Sequence, residues 1–320
     1  MIIPSDESYF RLVDQLKDKM GFPSDLQVRV YSDWSQAVFE TVLGVAHFMS
    51  HKKSMGILKG RTFAWNPILS FLYREAFQVQ PIPQGGEHSP ESLRQWLETA
   101  KKDTLFVLHQ TDHPISGEIY SSEFLDNALN ERKIFSVRIS HQPSSLDQLQ
   151  VGPYSAHIQI VSERLSLVIL GSKCKFPMLF SSHQSPAVLS PQILETEFQK
   201  YKSNETGSDK VSSFETQLGP NFFAPFSKIS QRKSGSMVFG CQGINGDFLA
   251  HELKKAIPDL EVKTLSRCFW KAPLSYKDWW DAAPSDEVLN QLIVIPSCFA
   301  EDIRLREFFR KFNLNPEMIV

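Results

Sequence analysis

Between Leu26 and Leu170 short apolar runs alternate with segments of helical spacing, and this alternation constrains the fold more than any other feature. Leu26–Tyr31 alternates apolar and polar residues as a half-buried strand does. Ser32-Asp33-Trp34-Ser35 then supplies capping residues for a helix from about Gln36 to His51 with Val38, Val42 and Val45 on one side. Further strands are predicted at Ser54–Leu58, Gln78–Ile82, Thr104–His109, Ile134–Ser140, Tyr154–Val161 and Leu165–Leu170. Helices are predicted before, between and after them, over residues 5–20, 66–76, 92–100 and 121–130. Strands and helices alternating at this spacing imply an α/β fold: a mainly parallel sheet with helices on both faces. Such sheets bind ligands outside the carboxyl ends of their strands. The loops Ser32–Gln36, Thr111–Gly117, Ser140–His141 and Gly171–Lys173 are therefore expected to share that edge.

The pattern changes beyond residue 190. A connecting helix and polar linker are expected over 191–235, followed by a smaller C-terminal α/β domain over 236–320. Its strands are read at Ser236–Gly240, Glu261–Leu265 and Leu292–Ile295, and its helices at Asp247–Ala256 and Glu301–Phe312. A chain of 320 residues is long enough for that small domain beside a large one over 1–190.

Composition removes several classes of function. At 42% hydrophobic and 22% charged residues the chain is an ordinary globular protein. A formal charge of −2 offers no field for nucleic acid or an acidic membrane surface, so neither partner is expected. No apolar run is long enough for a membrane span, and residues 1–20 lack the basic start and apolar core of a leader. The four cysteines lie far apart without zinc-site spacing, as in a reducing compartment; a cytoplasmic location is expected.

Several local patterns invite chemistry. Gly240-x-x-Gly243-x-x-Gly246 lies between a predicted strand and helix but matches no nucleotide-binding fingerprint, and reads as a plain turn. No G-x-S-x-G elbow is present. His47 and His51 stand four apart on one predicted helix, and His109, Asp112, His113 and His141 cluster at strand ends; either group has metal-ligand chemistry but no motif frames it. Leu170-Gly171-Ser172-Lys173 is a buried strand ending in a small-residue turn with an amine on it, which could aim one lysine into a cleft.

Taken in order, these pieces resemble the fold-type I pyridoxal-phosphate enzymes, the aminotransferases and cysteine-desulfurase-like proteins, over roughly residues 30–310. Thr104–His109 with His113-Pro114-Ile115-Ser116-Gly117 is similar to that family's strand and Asn-Pro-Thr-Gly turn, with His113 in place of the Asn. Ser140 falls where the family carries the Asp that pairs with the pyridine nitrogen. Leu170-Gly171-Ser172-Lys173 is similar to the strand ending in Ser-Lys, with Lys175 as a competitor for the lysine. The resemblance implies a lysine, Lys173, that forms the Schiff base and shuttles a proton. It implies cofactor contacts from Ser35 and Gln36 at a helix start, Trp65 against the ring, His113, Ser140 and Ser172, and a carboxylate grip from Arg304.

The function so implied is that of a pyridoxal-phosphate-dependent transferase acting on an amino-acid-like substrate, with a homodimer as the expected assembly. The alternative, raised by Ser140 and His113, is a catalytically degenerate binding or partner protein on the same fold. A metal-dependent hydrolase using His109, Asp112 and His113 is a more distant alternative.

Overall fold

The computed structural model describes residues 11, 13–18, 22, 26–48, 54–58, 78–82, 95–98, 104–112, 123–141, 151–162, 165–174, 176, 196–197, 208–227, 236–264 and 285–314. By its contacts the chain divides into two compact units, one drawn chiefly from residues 1–112 and 120–199, the other chiefly from 200–274 and 282–320.

The first unit is organised on seven strands: β1 (Gln27–Tyr31), β2 (Ser54–Leu58), β3 (Gln78–Ile82), β4 (Thr104–Gln110), β5 (Phe135–Ser140), β6 (Ser155–Ser162) and β7 (Leu165–Leu170). They lie in the order β1-β7-β6-β5-β4-β2-β3. Helix α1 (Trp34–Phe48) follows β1, and α2 (Glu123–Glu131) connects β4 to β5. Strands β4, β5 and β7 are buried along their whole length, as strands covered on both faces must be. Val28 and Val30 pack with Leu165, Leu167 and Ile169 against Val13 and Leu16 of the N-terminal helix on one face. Leu125 and Leu129 of α2 pack with Val107, Ile82 and Trp96.

The sheet is mainly parallel, but β7 runs against both its neighbours, β6 and β1. The cause is chain length: only residues 163–164 separate β6 from β7. A parallel return needs a crossover of a dozen or more residues, whereas two residues suffice for a hairpin. Leu165 therefore sits beside Ser162, and Leu170 beside Ala156 at the opposite edge.

That reversal corrects the expectation for Gly171–Lys173. The turn lies against the start of β6: Gly171 N–H donates to Ser155 O (2.8 Å) and Lys173 N–H to Pro153 O (2.9 Å). A Cβ on Gly171 would stand 2.0 Å from Gly152 O and 2.8 Å from Pro153 O, so the backbones approach too closely for any side chain there. The glycine of the Leu-Gly-Ser-Lys motif thus has a structural cause. The side chain of Lys173 is exposed.

The second unit carries a four-stranded sheet of order β10-β11-β9-β8, antiparallel throughout. Its elements are α3 (Ser208–Glu215), β8 (Phe222–Phe223), β9 (Ser236–Cys241), α4 (Gly246–Ala256), β10 (Lys263–Thr264), α5 (Asp286–Gln291), β11 (Leu292–Pro296) and α6 (Ile303–Leu314). Helix α3 and strand β8 fall in the stretch expected to be linker. They are core instead: Val211, Phe214 and Phe222 pack with Phe239, Leu249, Leu305, Phe309 and Phe312. Short polar stretches around buried aromatics hid this from periodicity. The Gly240–Gly246 stretch is a strand–turn–helix junction, with the Asn245 side chain accepting Asp247 N–H at 2.8 Å as a helix cap.

The turn's geometry predicts opposite outcomes for two neighbouring substitutions. Gly171→Ala should destabilise by about 1–3 kcal/mol, because the added methyl meets backbone rather than a movable side chain. Lys173→Ala, on an exposed side chain, should stay within about 0.5 kcal/mol. Urea denaturation of both variants checks this; equal losses would contradict the packing at Gly171.

Candidate functional site

With β7 reversed, the carboxyl edge of the parallel strands is lined by the ends of β1, β6, β5 and β4 and by the start of β7. Among the described residues this places Ser32–Gln36, Gln110–Asp112, Ser140–His141, Ser162 and Ser166 on one edge. Lys173 stands at the other. The six residues of β7 at about 3.3 Å each put roughly 17 Å of strand between the two edges. No described residue at the carboxyl edge is a lysine.

Helix α1 begins at this edge, and its first turn is already capped by an acid. Asp33 Oδ1 accepts both the backbone N–H and the hydroxyl of Ser35, each at 2.8 Å. A carboxylate at a helix N-terminus is stabilising, and here it takes a donor that an anion would need and adds negative charge beside it. Gln36 follows in the same turn, half-buried.

Asp112 joins β4 to β5 beyond the last ladder pair. Its two oxygens accept the backbone N–H of His141 at 2.8 and 3.0 Å. Thr111 N–H donates to Ile139 O at 2.9 Å, and the His141 ring stands between Asp112 (Nδ1 to Oδ1, 3.7 Å) and the Gln110 amide (Nε2 to Nε2, 3.4 Å). The His141 side chain is 4% exposed, which suits a joint between strands rather than a reacting group. Ser140, one residue earlier, is buried, and its carbonyl accepts from Gln159 Nε2 at 3.3 Å.

Deeper in the sheet lies a cluster of charge that no sequence motif marked. His109, Arg138 and His157 are register partners across β4, β5 and β6, so their side chains form one row on one face. Asp126 of α2 meets that row: Arg138 Nη1 donates to Oδ2 at 3.0 Å and Ser136 Oγ to Oδ1 at 2.7 Å. His109 Nε2 lies 3.0 Å from Ser136 Oγ and 3.4 Å from Asp126 Oδ1. The serine proton is spent on Asp126, so His109 donates through Nε2. Burial alone would raise the Asp126 pKa, but donation from His109, the charge of Arg138 and the Ser136 hydroxyl together hold it well below the carboxylate range. His157 is pushed the other way from an ordinary histidine: burial, and then the nearby Arg138 charge, keep its ring neutral. Period-two alternation would have put Ser136, Arg138 and Ser140 on one face, but only the tertiary fold brings Asp126 to them.

The Arg304 guanidinium is paired with two acids. It is bidentate to Asp259 at 2.7 and 3.0 Å and also reaches Asp302 at 2.7 Å. These hydrogen bonds hold both carboxyl groups below their usual range. Ser35 and Ser172 are exposed, on opposite edges of the sheet. Trp65, His113, Lys175, His51 and the side chain of His47 lie outside the described residues. Among the described residues no three His, Cys, Asp or Glu side chains converge as a metal site. His109 and Asp112 are each engaged in separate contacts.

Of the residues that the resemblance assigns to pyridoxal phosphate, the described ones do not converge on one place. The cofactor phosphate would meet the Asp33 carboxylate at the start of α1. The lysine expected to hold it is on the other edge of the sheet. The acids nearest β5 are committed, Asp126 to Arg138 and Asp112 to the His141 backbone.

Comparison with solved structures places the fold. A NifS-like protein matches at a TM-score of 0.66 and 14% identity, over 96% of this chain and 87% of that one. An apo cysteine desulfurase from Thermococcus onnurineus NA1 matches at 0.64 and 10% identity, over 98% and 84%. A histidinol-phosphate aminotransferase from Clostridium acetobutylicum matches at 0.55 and 10% identity, over 98% and 91%. The resemblance drawn from sequence therefore holds for the fold, which is that of the fold-type I enzymes. No protein-family model matches the sequence, and no curated protein does.

The buried cluster makes stability depend on pH in two steps. The folded pKa of His157 lies below its unfolded value of about 6.5, so only the unfolded chain takes up its proton and stability falls as pH drops through that value. The folded pKa of Asp126 is also depressed, so its contribution is present above about pH 4 and lost below it. Between pH 7 and pH 5 the native protein should lose roughly 1–2 kcal/mol, and His157→Gln should abolish most of that loss. Asp126→Asn should cost about 3–5 kcal/mol at pH 7, since it leaves Arg138 buried without its acid. Urea midpoints at the two pH values measure both effects.

Proposed function

We propose that this aminotransferase-fold chain acts as a binding or partner protein and does not use Lys173 for imine chemistry. The observation that carries the reading is the reversal of β7, which puts Lys173 at the amino edge of the sheet, away from Ser140, Asp112 and the start of α1. A lysine that forms an imine must reach the same pocket that holds the cofactor phosphate and ring. The capping of α1 by Asp33 supports the reading from a second direction, since it sets like charge where a phosphate would dock.

A pyridoxal-phosphate-dependent transferase is the competing reading, and the likeness to desulfurase and aminotransferase structures is what favours it. A cytoplasmic homodimer belongs to either reading. Its reducing compartment is supported by the free thiols of Cys174, Cys241 and Cys298. Cys174 and Cys241 are buried, and burial pushes their thiols up to about 12 and about 11, out of the reactive range. No helix among the described residues is long and apolar enough to cross a membrane.

Incubation of the purified protein with pyridoxal phosphate, borohydride reduction and peptide mapping separates the two. The expected result is no stoichiometric phosphopyridoxyl-lysine at any position and no visible absorption band lost in Lys173→Ala. A stoichiometric adduct on Lys173, or on any other single lysine, would overturn the binding-protein reading.

A further inference from the structure

The second unit contains a cavity of about 300 Å³ between α6 and the chain that leaves α3. Phe214 and Phe309 form its apolar floor, both buried, their rings edge to face at 5.5 Å between centroids. Leu218 and Gln217 form one wall, and Arg306, Arg310 and Asn313 of α6 the other. Among the described residues the lining holds two cations, both exposed, and no acid.

Arg306 and Arg310 are four residues apart on one helix and stand over the same face, where two like charges repel. Arg304, on the same helix, is fully paired with Asp259 and Asp302, whereas Arg306 and Arg310 make no ion pair with the described residues. One further turn along, the amide of Asn313 packs against Gly219, where a Cβ would stand 1.8 Å from its nitrogen.

We propose that this cavity binds a small carboxylate bearing an aryl or branched-alkyl tail. Each part of the ligand answers one part of the lining. The carboxylate relieves the repulsion of the two guanidiniums and takes their charge-assisted hydrogen bonds. The tail covers the phenylalanine floor. The volume is at the small end for ligand pockets, which suits a molecule of single-amino-acid size. The inference is independent of the reading proposed above, because every lining residue belongs to the second unit.

The test is calorimetric titration of the full chain with N-acetyl-L-phenylalanine, with N-acetyl-L-phenylalaninamide as the uncharged control and N-acetylglycine as the tailless one. Saturable binding of the acid is expected, with both controls at least about tenfold weaker. The double variant Arg306→Gln/Arg310→Gln should weaken the acid at least about tenfold. Lys311→Gln, an exposed cation on the same helix outside the cavity, should leave it unchanged. Absence of saturation by about 10 mM, equal binding of the amide, or loss of affinity in Lys311→Gln as large as in the double variant would overturn the proposal. The acid–amide comparison uses the native protein, so its outcome does not depend on any variant folding.

Discussion

Two residues of chain between β6 and β7 govern the large sheet. They leave no room for a crossover, so β7 must return antiparallel along β6, and β1 pairs with the reversed strand on its far side. Every consequence for the site follows from that direction. The start of β7 joins the carboxyl edge, and its end, with Gly171 and Lys173, is carried to the start of β6. Gly171 is then pressed against Gly152 and Pro153, where only hydrogen fits. The glycine of that motif is a packing device in three dimensions.

The carboxyl edge itself is held together by its own polar groups. Asp33 closes the start of α1, Asp112 ties the end of β4 to the backbone after β5, and Gln159 bonds the carbonyl of Ser140. Below it, Asp126 gathers Arg138, Ser136 and His109 on one sheet face, a buried cluster whose members are costly unless all are paired. Such an arrangement specifies strand register well, since a one-residue slip would turn Arg138 out of reach of Asp126. Neither network includes a lysine, and the acids in both are spent on the protein's own donors.

Much of the fold was legible in the sequence because it depends on local pattern. The strands Ser54–Leu58, Gln78–Ile82 and Leu165–Leu170 stand where composition and flanking turns put them, and helix starts at Ser32–Ser35 and Asn245 follow from capping chemistry. The hairpin was also legible. Predicted strands ending at Val161 and beginning at Leu165 are too close for a parallel connection. By contrast, nothing local marked Ser208–Glu215 and Phe222–Phe223 as core, since their phenylalanines are buried by β9 and α6, which lie far along the chain.

The sequence by itself determined the class of this protein: strands and helices alternating at crossover spacing, with a second smaller unit. Only the tertiary structure decided which side chains meet. Arg138 found Asp126, Arg304 found Asp259, and Arg306 and Arg310 were left facing a cavity, while Lys173 was turned away from the edge it was expected to serve. The physical reason is one of range. Propensity and capping act over a few residues of chain, whereas the partners of a buried charge are set by strand direction and helix placement across the whole sheet.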